Sequence, residues 1–124
     1  MKNIIYIILI LVCYSCQIFE NENGLHFSIE NKSDFTIKNI KFTTSEKVPV
    51  LNFKEIKPDG KVSNFLNMQN NKHDGSYVLT FTQENGKTVS KGFGYYTNGG
   101  SLDKRAKFVI KNDTVISKFS GPVY

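Results

Sequence analysis

Residues 76–96 read SYVLTFTQENGKTVSKGFGYY, and their periodicity decides the fold. Tyr77, Leu79 and Phe81 alternate with Val78, Thr80 and Thr82, the period-two pattern of a strand with one buried face. Glu84-Asn85-Gly86-Lys87 is turn chemistry, and Val89 to Tyr96 resumes an aromatic-rich extended pattern. The segment is therefore a β-hairpin, and its register can be argued. A two-residue Asn-Gly loop would set Phe81 opposite Ser90 and Tyr77 opposite Gly94. A three-residue loop, with Gly86 in the left-handed position of a bulge, pairs Phe81 with Val89, Leu79 with Lys91 and Tyr77 with Phe93. A one-residue slip turns every side chain to the other face. The second register brings more apolar groups together and is preferred, although Asn-Gly is the stronger two-residue signal.

Working outward, the same period recurs. Leu25, Phe27 and Ile29 form a first strand, closed by the turn Asn31-Lys32-Ser33-Asp34. A second strand runs from Phe35 to Thr44. Its phase slips between Phe35/Ile37 and Ile40/Phe42, so a β-bulge is expected near Lys38-Asn39. Leu51, Phe53 and Ile56 mark a third strand beyond Pro49, and Lys57-Pro58-Asp59-Gly60 the next turn. Val62, Leu66 and Met68 carry a fourth strand, and residues 67–75 are the longest polar loop. After the turn Thr97-Asn98-Gly99-Gly100, residues 101–105 read as more loop. A last hairpin folds about Asn112-Asp113. It pairs Ile110 with Val115, Phe108 with Ser117 and Ala106 with Phe119, and leaves Lys107 opposite Lys118 on the wet face.

Seven to eight short strands with turns every 8–12 residues imply an all-β, immunoglobulin-like antiparallel β-sandwich, with a small β-barrel as the alternative. The size fits, but the chain has no tryptophan, so the Cys…Trp…Cys core of antibody domains is absent. The two cysteines, Cys13 and Cys16, both precede this region, so no disulfide scaffold supports it. Formal charge is +5, spread along the strands as solvated lysines. That spread gives no concentrated basic stripe for nucleic acid.

The first sixteen residues, MKNIIYIILILVCYSC, have a different character. Lys2 is a positive head, residues 4–12 are unbroken apolar sequence, and the small residue Ser15 precedes Cys16. The apolar run is about half the roughly 20 residues that span a bilayer. The stretch resembles a bacterial lipoprotein signal, in which a lipobox ends at a cysteine. The resemblance implies cleavage before Cys16, a diacylglyceryl thioether on its thiol and N-acylation of its amine. Val12, before Cys13, is too large for the alternative cut. It also implies membrane association through the lipid anchor in the cell envelope, at the outer membrane, on its periplasmic or surface side. Residues 1–15 are then the signal peptide, 16–23 the lipidated cysteine and tether, and 24–124 the sandwich domain. Residues 17–23 can reach at most about 24 Å. Glu20 and Glu22 loosely resemble the acidic export stretch of some Bacteroidota lipoproteins.

Chemistry-bearing residues are few. Asn71-Lys72-His73-Asp74-Gly75-Ser76 gathers an imidazole, a carboxylate and a hydroxyl in the longest loop, but such close neighbours rarely form a nucleophilic site. His26 reads as a surface residue, and the two histidines make no metal signature. No cofactor motif is present, since Gly92-Phe93-Gly94 falls in a strand and not at a phosphate-binding turn. Tyr95, Tyr96 and Asn98 form an aromatic-polar patch that could face a protein or glycan partner, with sheet packing as the plainer account. Asp113-Thr114-Val115 resembles the Asp-Ser/Thr-aliphatic site of Bacteroidota O-glycosylation, which would modify Thr114. The expectation is a non-enzymatic binding or assembly module on a lipid anchor. The alternatives are an extracytoplasmic hydrolase built around His73 and an inhibitor or immunity-type lipoprotein.

Overall fold

The computed structural model describes residues 22–123, so residues 1–15, read as a signal peptide, Cys16, and residues 17–21, read as tether, lie outside the described residues. The described chain is all-β, with nine strands in two facing sheets. They are β1 (Gly24–Asn31), β2 (Ile37–Thr44), β3 (Val50–Ile56), β4 (Lys61–Asn67), β5 (Gly75–Thr82), β6 (Thr88–Thr97), β7 (Gly100–Ser101), β8 (Asp103–Ile110) and β9 (Val115–Pro122). One sheet has the order β4-β1-β8-β9 and the other β3-β2-β5-β6-β7. Among the described residues, no helix is long and apolar enough to cross a membrane.

The expected register of the 76–96 hairpin is found: Phe81 faces Val89, Leu79 faces Lys91 and Tyr77 faces Phe93. Gly86 takes φ 82°, the left-handed conformation its loop position requires. The last hairpin also pairs as read, including Lys107 against Lys118. The β-bulge of β2 lies between Lys38 and Lys41, where Asn39 has φ 50°. It lets Ile37, Ile40 and Phe42 all enter the core.

Three expectations are corrected. The sandwich is not wholly antiparallel: β8 pairs parallel with β1, in the register Phe27 to Ala106 and Ile29 to Phe108. The chain leaves β7 at the end of the sandwich where β1 starts, so β8 must run in the direction of β1. Residues 101–105 are not a continuous loop. Gly100–Ser101 forms β7 on the edge of the second sheet, and β8 begins at Asp103. Asp103, Lys104 and Arg105 hid that strand because apolar alternation begins only at Ala106. Phe35 is half exposed, and β2 begins at Ile37. The buried Asn31 amide donates to Phe35 O and Ile56 O, each at 2.8 Å, and holds residues 32–36 in a turn.

The core lies between the sheets and is rich in aromatic rings. Phe42 packs at 4.3 Å from Phe27 and 5.2 Å from Phe108, between centroids, and Phe119 stacks on Tyr77 at 5.7 Å. Leu25, Ile29, Ile40, Leu66, Leu79 and Ile110 complete it. Each such side chain contributes about 1.5–3 kcal/mol when fully buried.

Candidate functional site

The end of the sandwich at which β1 begins gathers the β2–β3, β4–β5 and β6–β7 connections, and with them most of the residues singled out in the sequence. Asn23, read as the last residue of the tether, is held there. Its amide donates to Met68 O at 3.1 Å and Gly99 O at 2.8 Å, and its oxygen accepts from Ser101 N at 3.2 Å. The entering chain is thus tied to the fold before the first strand starts.

Two carboxylates organise this end. Glu46, on the β2–β3 connection, accepts from Lys72 N at 3.0 Å and His73 N at 3.1 Å through Oε1. Its Oε2 accepts from the Asn71 amide at 2.9 Å and the Tyr96 hydroxyl at 2.7 Å. The Lys72 N–H, then the Asn71 amide and Tyr96 hydroxyl, and last the His73 N–H, hold the Glu46 carboxyl down from 4.5 to about 2, against the opposing effect of burial. Asn71 is itself buried and also donates to Thr44 Oγ1 and Val48 O. Asp74 is the second centre. Its Oδ1 accepts from Asn98 N at 2.8 Å and its Oδ2 from the Tyr95 hydroxyl at 3.2 Å. The latter bond raises the Tyr95 phenol above its ordinary value.

Tyr95 and Asn98 therefore share one exposed patch, joined through Asp74. Tyr96 does not belong to it. Its ring is fully buried, 5.6 Å from that of Tyr77. The cause is a bulge at Gly94, which has φ 63° and lies under the Phe119 ring. Pairing passes from Tyr77–Phe93 to Gly75–Tyr96, so two residues of β6 oppose Ser76 and the phase inverts. Phe93 and Tyr96 then both point inward and Tyr95 outward. Glycine inside an alternating strand was the available signal.

His73 is exposed and enters the network by its main chain, donating to Glu46 and accepting from Gly99 N at 2.8 Å. Asp74 bonds Tyr95 of β6 and Asn98 of the β6–β7 turn, and Ser76 N donates to Ser45 Oγ, so the sequence neighbours 73, 74 and 76 are not brought together as a triad. Glu46 was missed because it lies 25–50 residues from its partners. Thr114 is exposed in the β8–β9 turn at the opposite end.

Fold and site together define an all-β sandwich domain with a polar, hydrogen-bonded loop end. No protein-family model matches the chain. No curated protein matches it either. Among solved structures it is similar to one described as "NMR structure of the protein from Eubacterium rectale". That match has a TM-score of 0.56 and 15% identity, and covers 85% of this chain and 97% of the other. The likeness concerns the fold alone.

Proposed function

We propose that the chain is an envelope lipoprotein, acylated on Cys16, that presents its sandwich as a non-enzymatic binding or assembly module at the outer membrane. The observation that carries this is the ordered series Lys2, apolar residues 4–12, Ser15 and Cys16. The attachment of Asn23 supports it, because the tether then joins a firmly held end of the domain a few residues after the lipid. One acyl chain binds a membrane only marginally, whereas two or more hold it stably. The test is metabolic labelling with a palmitate analogue and carbonate extraction of membranes. Wild-type chain labels and stays with the membrane, and Cys16→Ser neither labels nor stays. A Cys16→Ser chain that resists carbonate would overturn the anchor.

The immunoglobulin-like character of the sandwich is part of this proposal and rests on strand order. β1 to β6 follow the B, C, C′, E, F and G strands of such domains: β1 pairs with β4, and β3-β2-β5-β6 are neighbours. β8 lies where strand A would, but runs parallel to β1. An aromatic-polar patch of Tyr95 and Asn98, hydrogen-bonded through Asp74, suits partner contact, with Tyr95 offering a ring face and a polar tip.

A further inference from the structure

The outward face of the β4-β1-β8-β9 sheet carries an open trough of about 670 Å³ that the patch at the loop end does not explain. Its cross-strand rows follow from the pairing. Phe65, His26, Arg105 and Ser120 form one row, and Ser63, Ser28, Lys107 and Lys118 the next. Three cations therefore stand on two adjacent strands, with Lys107 and Lys118 directly opposite each other. Like charges so placed are destabilising. Among the described residues the ion pairs are those of Lys32, with Glu30 at 3.3 Å and Asp59 at 3.0 Å, so Arg105, Lys107 and Lys118 carry none. The acids of this face, Glu30 and Asp103, stand outside the two rows.

We infer that this trough is a binding site for an anionic polysaccharide. The cations match carboxylates along a polymer. The serines of the floor supply hydroxyls that both donate and accept, suited to a hydroxyl-bearing ligand. His26 and Phe65, with ring centroids 4.7 Å apart, close one end with an aromatic face that can cover the apolar side of a sugar ring. Acidic polypeptide is the less favoured occupant. Peptides commonly join a sheet by pairing with a free edge; here the free edges are those of β4 and β9, to either side of the trough, whereas the cations stand on the sheet face. The inference rests on the binding-module reading and specifies its ligand, but it is independent of the anchor, so carbonate extraction and the following assay can fail separately.

The test is binding of the full chain, in detergent, to polygalacturonate, with neutral dextran and poly-L-glutamate of matched length as comparators. Polygalacturonate binds saturably and loses affinity as salt is raised, as exposed charge pairing requires, and dextran does not bind. The double variant Lys107→Ser/Lys118→Ser loses affinity at least about tenfold while its melting temperature holds or rises, because a like-charge pair is gone. Arg105→Gln weakens binding without that stabilisation. Retained wild-type affinity in both variants, absence of polygalacturonate binding, or poly-L-glutamate binding as tightly as polygalacturonate would each overturn the inference.

Discussion

The hydroxyl of Tyr96 lies 2.7 Å from Glu46 Oε2 and joins the end of β6 to a connection fifty residues earlier in the chain. Around that bond, Glu46 also draws in the main chain of Lys72 and His73 and the buried amide of Asn71. Removing the hydroxyl with Tyr96→Phe keeps the ring in the core and deletes one donor. The melting temperature should fall by roughly 5 °C, the scale of one hydrogen bond in a domain of this size. Thermal melts followed by circular dichroism check this, with an unchanged baseline spectrum showing that the fold persists.

The same carboxylate predicts an acid limb of stability. A carboxyl whose folded pKa lies below its unfolded value stabilises above the unfolded value and loses that contribution as pH falls through the folded one. For Glu46 the window runs from 4.5 down to about 2. Wild-type melting temperature should decline across it. Glu46→Gln should be less stable at neutral pH and show a shallower decline in that window. Parallel slopes in the two proteins would remove Glu46 as the source.

Tyr95 and Tyr96 are neighbours with opposite consequences. Tyr95 is 51% exposed and bonded to Asp74 at 3.2 Å, whereas Tyr96 is wholly buried. Tyr95→Ser should leave the melting temperature within about 2 °C, as surface changes generally do. Tyr96→Ser removes a core ring and the Glu46 bond and should unfold the domain or lower its melting temperature by more than about 10 °C. Only Tyr95→Ser then reports on partner binding.

Gly94 carries the inversion that separates those two tyrosines. Its φ of 63° is strained for any residue with a Cβ, and the added carbon would press on the Phe119 ring. Gly94→Ala should cost on the order of 2 kcal/mol, whereas Gly92→Ala should cost less, since its added carbon meets only the Ser76 hydroxyl at 3.3 Å and the Tyr77 carbonyl oxygen at 3.8 Å. Urea unfolding of the two variants side by side gives the comparison.

These relationships show what was legible in the sequence. Period-two patterning reached the hairpins, because Tyr77, Leu79 and Phe81 alternate without interruption and the apolar match chose their register. It reached the bulge in β2 because apolar residues stood on both sides of the slip. It failed at Gly94, where consecutive aromatics gave no phase to follow, and at Asp103 to Arg105, where a strand carried charges at its start. The site failed for a different reason. Glu46 and Asp74 act through main-chain N–H groups and distant hydroxyls, and no local motif records which N–H a carboxylate will find. Parallel pairing of β1 with β8 is likewise a property of how the chain crosses between sheets.

Asn31 shows a long-range polar anchor at the opposite end of the sandwich, and its chemistry allows a discriminating pair of variants. Its side chain is buried and fully used: Nδ2 donates to Phe35 O and Ile56 O, and Oδ1 accepts from Ser33 N at 3.0 Å and Ser33 Oγ at 2.6 Å. Asn31→Ala strands those partners and should cost on the order of 3 kcal/mol. Asn31→Asp keeps the acceptor for Ser33 but sets a carboxylate against two carbonyl oxygens to which it cannot donate. Burial and those oxygens favour the protonated acid, raising its folded pKa above the unfolded value near 3.9. The penalty is therefore full at neutral pH and shrinks as pH falls through the folded pKa, because the protonated acid can donate one bond again. Urea midpoints of Asn31→Asp should approach wild type on mild acidification while those of Asn31→Ala keep a constant offset. Parallel behaviour of the two variants would show that the amide's donors do not hold this turn.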